Sequence, residues 1–329
     1  MTGINFSKKP KLRNPFLLVA WPGMGEVAFK AARFLVEKLG AEEFASIDSG
    51  DFFYLTGSVV KEGIMDIPDL PYNKFYYWKN PATKHGGKTE PNDLIIFISN
   101  AQPDLARSHE YCQHILSITS AFDIKMVLCF AAMPIPIDHT QEPSVWFAAT
   151  DQKIKDSLIK YNIKIMSEGQ ISGMNGLFLG VAKKMNLSGF CLLSEIPIYT
   201  IQIENPKASY AILETLSRIL GIAIDLSELN NQANSVEEQI NQLIDYLKTG
   251  AAQPPPIGEE EIEKIKKSLS EYSKLPQSVR IKIEKLFSEA KKDLSKANEL
   301  KQELDKWNAY KEYEDRFLDL FKKPKDKGN

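Results

Sequence analysis

Twice along the chain an apolar run precedes a glycine-rich turn that opens an amphipathic stretch, directly in the first case. Phe16-Leu17-Leu18-Val19-Ala20 leads into Trp21-Pro22-Gly23-Met24-Gly25-Glu26-Val27-Ala28, and the segment ending near Met166 leads into Ser172-Gly173-Met174-Asn175-Gly176-Leu177-Phe178-Leu179-Gly180. A strand that turns this tightly into a helix belongs to a parallel α/β sheet, where helix N-termini point unpaired N–H groups out of the carboxyl edge. A site is expected at that edge. Its candidate residues are Gly23, Met24, Gly25, Gly173, Met174, Asn175 and Gly176, joined by Asn100 after another buried strand and Glu195 after Cys191-Leu192-Leu193. Backbone N–H groups of residues 24–26 and 174–176 would be the anion donors.

The rest of residues 1–249 alternates as a βαβ protein does. Strands are predicted at 16–21, 44–47, 94–99, 125–131, 164–166 and 190–194, with extra β segments at 52–60 and 75–78 in a hairpin-like insertion between 50 and 80. Helices are predicted at 24–39, 105–121, 151–160, from the second turn to Met185, at 205–221 and at 225–247, with Gly40 as a stop and Asp151 and Asn205 as N-caps. The fold class is a three-layer α/β/α sandwich with a mostly parallel sheet.

A linker is expected at 250–258, where Pro254-Pro255-Pro256 lies between Gly250 and Gly258. Beyond it, 34 of the residues from 259 to 329 are Asp, Glu, Lys or Arg. Ile262, Ile265, Leu269, Tyr272 and Leu275 form one helical series, and Leu286, Ala290, Leu294, Ala297, Leu300, Leu304, Trp307, Tyr310, Tyr313, Phe317 and Leu320 form a second. Steps of three and four make an apolar seam on a long helix, so the tail is read as a charged helical hairpin or coiled coil.

Reactive residues are few. Gly23-x-Gly25-x-x-Ala28 with Asp48 matches the dinucleotide fingerprint formally, but Trp21-Pro22 crowds the turn and β-like Phe52-Phe53-Tyr54-Leu55 follows Asp48 where a crossover helix is needed. His109, Cys112 and His114 lack the number and spacing of a metal set. His139 reads as a solvated loop residue with a second reading as a general base, and Glu195 would have a raised pKa if buried. Lys84-His85-Gly86-Gly87-Lys88 reads as a solvated basic turn. Cys112, Cys129 and Cys191 read as buried free thiols. No cofactor and no metal is indicated. A net charge of -2 argues against nucleic acid or an anionic membrane as the main partner, and the absence of a long apolar run or an apolar leader places the chain in the cytoplasm.

Trp21-Pro22-Gly23-Met24-Gly25-Glu26-Val27-Ala28, Asn100-Ala101-Gln102-Pro103, Gly173-Met174-Asn175-Gly176-Leu177, Ser194-Glu195-Ile196-Pro197 and Asn205-Pro206-Lys207-Ala208-Ser209, in this order, resemble the proteasome assembly chaperone 2 family over residues 12–248. The resemblance implies a sandwich similar to the nucleoside-phosphorylase fold and a homo-oligomer, a trimer or a larger ring, that binds a further protein partner. Eukaryotic members of that family help assemble the proteasome α-ring. The end Lys325-Asp326-Lys327-Gly328-Asn329 lacks the hydrophobic-tyrosine ending of proteasome-docking tails, so direct docking into an α-ring is not expected. Two functional readings stand: a non-catalytic interaction or assembly protein, and a binder or hydrolase of a phosphate, nucleotide or sugar at the glycine turns.

Overall fold

The most apolar runs of the chain are buried on both faces, which is the pattern of strands covered by helices on two sides. In the computed structural model, residues 3–50, 52–55, 57–81, 91–249, 277–306 and 310–321 are described. The strands are β1 (Ile4–Phe6), β2 (Phe16–Ala20), β3 (Glu42–Ile47), β4 (Val59–Lys61), β5 (Ile64–Asp66), β6 (Asn73–Trp78), β7 (Leu94–Ser99), β8 (Met126–Ile135), β9 (Val145–Ala149), β10 (Lys164–Ile165) and β11 (Gly189–Pro197). The helices of this part are α1 (Val27–Leu39), α2 (Ser108–Leu116), α3 (Gln152–Ile159), α4 (Met174–Lys184), α5 (Pro206–Leu220) and α6 (Ser227–Thr249).

Nine strands form one sheet in the order β1-β3-β6-β7-β2-β8-β11-β9-β10. The central block β7-β2-β8-β11 is parallel, and β1, β3, β6 and β9 add antiparallel pairings on its flanks. Alternate residues of the central strands feed two cores. Leu17, Val19, Phe97 and Cys129 pack under α2 and α4, while Leu18, Ile96, Phe130 and Leu192 pack under α1, α3, α5 and the start of α6. The predicted three-layer sandwich is therefore present, with its parallel character concentrated at the centre.

Local chemistry sets the helix ends. Asp151 accepts the Ile154 N–H (3.0 Å) and Asn205 accepts the Ala208 N–H (3.1 Å), as N-caps do. Gly40 and Gly221 end α1 and α5. Cys112, Cys129 and Cys191 are free and buried, and burial pushes the Cys112 thiol up to about 12.

Several elements differ from expectation. β1 and β9 have no predicted counterpart: three residues are too few to show a period, and five apolar residues between a proline-rich stretch and a cap give none to read. The predicted helix over 105–121 is α2 flanked by short 3-10 turns. Within the insertion, Phe52 and Phe53 are buried against Tyr111 and donate their N–H groups to the Ser49 carbonyl, so the β structure lies further on, in a separate two-stranded ribbon of β4 and β5. The tail seam does not run along one long helix. It is divided among α7 (Gln277–Lys292), α8 (Ala297–Lys306) and α9 (Tyr310–Asp319), and Leu286, Ala290, Ala297, Leu300, Leu304, Tyr313 and Phe317 share one small core. A straight helix cannot bury its own seam; breaking it after Lys292 lets the pieces cover one another. The proline segment 250–258, the first tail series at 262–275, Trp307 and the basic turn 84–88 lie outside the described residues.

Candidate functional site

Both glycine turns sit at the carboxyl edge of the parallel block: the first directly follows the buried β2, whereas the second follows β10, which is exposed and runs against the block, so the chain returns to that edge over residues 166–173. They are tied to each other by side-chain amides. Asn175, buried at the start of α4, accepts the Trp21 N–H on Oδ1 (3.1 Å) and donates from Nδ2 to the Trp21 carbonyl (3.2 Å). Gln102 lies just beyond β7 and donates from Nε2 to the Pro22 carbonyl (2.7 Å), while its Oε1 accepts the Met174 N–H (3.2 Å). One amide thus satisfies both backbone groups of Trp21, and the other bridges the two turns.

The backbone donors of the turns are largely occupied from within. Gly25 donates to Ile201 (2.8 Å), Glu26 to Gly23 (2.9 Å), Met174 to Gln102 (3.2 Å) and Gly176 to Gly173 (3.2 Å). Gly25 also accepts the Asn205 N–H (2.8 Å), which fastens the first turn to the loop before α5. Its φ of 61° lies in the left-handed region, and a Cβ there would stand 3.2 Å from the Asn205 Cβ. At Gly176 the constraint is contact: a Cβ would meet the Ile171 carbonyl oxygen at 2.0 Å. Gly180, one turn later, is exposed, and a Cβ there would find nothing within 4 Å.

A cavity of about 210 Å³ opens between the turns. Gly23, Met24 and Asn175 line it together with Met133, Met166 and Leu193, and no charged side chain takes part. Gln102, Gln170 and Ser172 line it as well, so it offers neutral hydrogen-bonding groups beside apolar surface, and it offers an anion no countercharge. A larger cleft of about 560 Å³ lies at the opposite, amino edge, where Phe16, Met126 and Phe190 begin their strands.

The remaining candidates point elsewhere. Asn100 Oδ1 accepts the Tyr72 N–H (2.7 Å), holding the exit of the 50–72 insertion. Glu195 is buried and turned toward β9 and β10, where it accepts from the Ser144 N–H (2.9 Å), the Trp146 indole (2.7 Å) and Lys164 (3.3 Å). Burial acts to raise its pKa, but these three donors together outweigh it and hold the carboxyl below its ordinary range, the reverse of the sequence expectation. His139 is likewise not a solvated loop residue. It is 8% exposed, its ring spans the Tyr199 hydroxyl (2.8 Å) and the Asn241 amide oxygen (2.9 Å), and Lys207 donates to its carbonyl (3.2 Å). This side chain clasps the loop between β8 and β9 to α6.

Topology separates the parts of the formal dinucleotide fingerprint. Asp48 follows β3, three strand positions from β2, or about 14 Å at ~4.8 Å per strand, and its carboxylate accepts the Gly50 N–H of its own turn (2.9 Å). Cys112 is fully buried in α2 and the His114 ring packs on Phe52 at 5.4 Å. Among the described residues no three His, Cys, Asp or Glu side chains are placed to hold a metal ion, and no helix is long and apolar enough to cross a membrane.

Sequence reasoning missed Gln102, Met133 and Met166 as parts of this edge. Gln102 carried one signal, an amide just before proline at a strand end; Met133 carried none, since β8 runs four residues past its predicted end, and Met166 was read only as the end of the strand at 164–166.

Fold and edge together define an α/β/α sandwich protein whose parallel core is extended by antiparallel strands and whose glycine turns are closed on each other. The model of the PAC2 family matches residues 17–244, and the chain belongs to that family. Among solved structures it is similar to Pyrococcus furiosus PbaB, described as an archaeal proteasome activator, with 26% identity over 73% of this chain and 98% of that one and a TM-score of 0.62. Pyrococcus furiosus PbaA, an archaeal homolog of proteasome-assembly chaperone, shares the fold at 24% identity, 75% and 94% coverage and a TM-score of 0.57. An uncharacterized protein of Methanocaldococcus jannaschii is 27% identical over 253 residues, 74% of this chain and 90% of its own length. The resemblance read from the sequence and the sandwich it implied are thus both present.

Proposed function

We propose that the chain is a non-catalytic, chaperone-like interaction protein of the cytoplasm that assembles with copies of itself and with a protein partner. The observation that carries this reading is the closure of much of the carboxyl edge: four of the six backbone donors that would cradle a phosphate or an oxyanion, those of Gly25, Glu26, Met174 and Gly176, are spent on Ile201, Gly23, Gln102 and Gly173, and the cavity beside them has no charged lining. Family membership supports it, and the relative described as a proteasome activator makes a proteasome particle the first partner to try. In this proposal residues 1–249 are the family domain, 250–258 a linker and 259–329 a helical appendage.

Affinity capture of the tagged full chain at native expression level tests the proposal. Stoichiometric recovery of a proteasome component or another protein is the expected result, and recovery of the chain alone overturns the partner reading. The small-ligand reading retains Gly23, Met24 and Asn175 as cavity residues, but about 210 Å³ falls below the roughly 300–1,000 Å³ of ordinary small-molecule sites. A thermal-shift response to phosphate, nucleotides or sugars would favour it.

A further inference from the structure

The insertion that leaves the sheet after β3 and returns at β6 is held at its neck by a buried chain of polar side chains. Ser49 donates from Oγ to the Pro71 carbonyl, which ties the two ends of the insertion together, and the same oxygen accepts from Asn73 Nδ2 (2.6 Å). Asn73 Oδ1 in turn accepts the hydroxyl of Tyr111 on α2. Phe52 and Phe53 close the neck over the Tyr111 ring, with centroids at 4.9 and 5.7 Å. Ser49, Asn73 and Tyr111 are all buried, whereas Val60, Met65 and Ile67 of the ribbon beyond stand exposed. The direction in which the ribbon is carried is therefore set at the neck.

The chain ends against the first glycine turn. Trp21, whose backbone Asn175 holds, lies edge-on to the Tyr111 ring at 6.3 Å, and its indole N–H stands by the Tyr111 hydroxyl without bonding to it. Among the described residues this N–H is the buried side-chain polar atom left without a hydrogen-bond partner. A buried donor left unmet is destabilising, and any small movement that brings it to an acceptor recovers the loss. The acceptor at hand is the Tyr111 oxygen, which keeps its lone pairs while it donates to Asn73.

Two demands thus meet on one hydroxyl. With Tyr111 drawn to Asn73 the neck is closed and Trp21 goes unmet; a shift toward Trp21 meets the indole and lets Asn73 go.

We propose that Tyr111 is a two-position latch, closed on Asn73 and open on Trp21, that sets whether the insertion is held in one direction or pivots about Ser49 and Tyr72. The latch is internal to the fold, so it stands whichever partner or ligand the protein takes. In the closed position the apolar ribbon is presented rigidly, and in the open position over a range of directions.

Hydrogen exchange of the full chain reads the latch amide by amide. The N–H groups of Phe52 and Phe53 bond to the Ser49 carbonyl, that of Asp104 to the Phe52 carbonyl and that of Tyr72 to Asn100, so these four report the neck, and those of Leu94–Ser99 report the sheet. Tyr111→Phe keeps the ring and removes the hydroxyl. It is expected to speed exchange of the four neck amides by about tenfold relative to the sheet amides, the scale of one lost buried hydrogen bond. Equal acceleration of neck and sheet would show only a global loss of stability, and no acceleration would show that the hydroxyl holds nothing; either result overturns the latch.

Asn73→Ala tests the open position, because it removes the acceptor and leaves Trp21 and Tyr111 in place. The Trp21 indole N–H signal, followed by nitrogen–proton NMR and assigned with Trp21→Phe, is expected to move downfield and exchange more slowly as the bond to Tyr111 forms. Adding Tyr111→Phe to Asn73→Ala should reverse both changes. An indole signal in Asn73→Ala that matches the native chain, or one that the second substitution leaves shifted, overturns the open position.

Discussion

The glycine turns and the β4–β5 ribbon are opposite solutions on one edge of the same sheet. At the turns, most of the polar backbone that the motif would offer to a ligand is met from within, by Ile201, Gly23, Gln102 and Gly173, and Asn175 and Asn205 fasten the turns to each other and to the next loop. On the ribbon, apolar side chains are left facing water. The difference teaches that a motif marks tight geometry, whereas an unmet physical demand marks a partner: buried polar groups that are already satisfied have little more to gain, and exposed apolar area still does.

Substitutions can break this contrast, and the largest effects are expected at the turns. Gly176→Ala drives a methyl group into the Ile171 carbonyl, at a cost of about 3 kcal/mol and roughly 6–12 °C in Tm. Asn175→Ala strands the buried N–H and C=O of Trp21 at about 2–4 kcal/mol, readable as a lower urea midpoint with unchanged slope. Retention of native stability by either variant would mean the turns are not structural closures.

Next comes Glu195, the other polar group of this edge that is met from within. Its folded pKa is depressed, so its contribution is fully present above the unfolded value of about 4.3 and is lost as pH falls through the folded value. Denaturation midpoints of the native chain should decline below about pH 4.3, while Glu195→Gln should be about 1.5 kcal/mol less stable at pH 7 and show a flatter acid limb. Parallel limbs would show that the carboxylate is not held in its charged form.

Gly180→Ala sharpens the comparison from the other side. With nothing within 4 Å and helical backbone, it should gain about 0.5–1 kcal/mol, opposite in sign to Gly176→Ala one turn away. The smallest effect is expected on the ribbon: Met65→Ser should move the monomer's Tm by less than about 0.5 kcal/mol equivalent, since a side chain 71% exposed has little to lose in the isolated chain.

Much of the fold was legible because its determinants are local. Leu94–Ser99 is a run of six apolar or small residues whose limits the sequence shows directly, and Asp151, Asn205, Gly40 and Gly221 mark helix ends through chemistry confined to one turn. The site was legible only as a place. Asn175 and Trp21 are 154 residues apart, and Gln102 is 80 from Pro22, so what the amides bind depends on sheet order that no local pattern contains. Asp48 shows the same limit from the opposite side: its spacing from Gly23 fits a motif, but β6 and β7 are inserted between their strands. Glu195 was read from its apolar neighbours alone, and its donors come from β9 and β10, one of which had no sequence signal.

The margins of the nine-stranded sheet carry a last consequence. They are formed by β1 and β10, three and two residues long, so the unpaired hydrogen-bonding rows offered to another chain are very short. β1 also covers β3, a six-residue strand that would otherwise end the sheet. Residues 4–6 therefore work as a guard against fibrillar stacking: losing them would leave Glu42–Ile47 as an open template for strand addition and for indefinite aggregation.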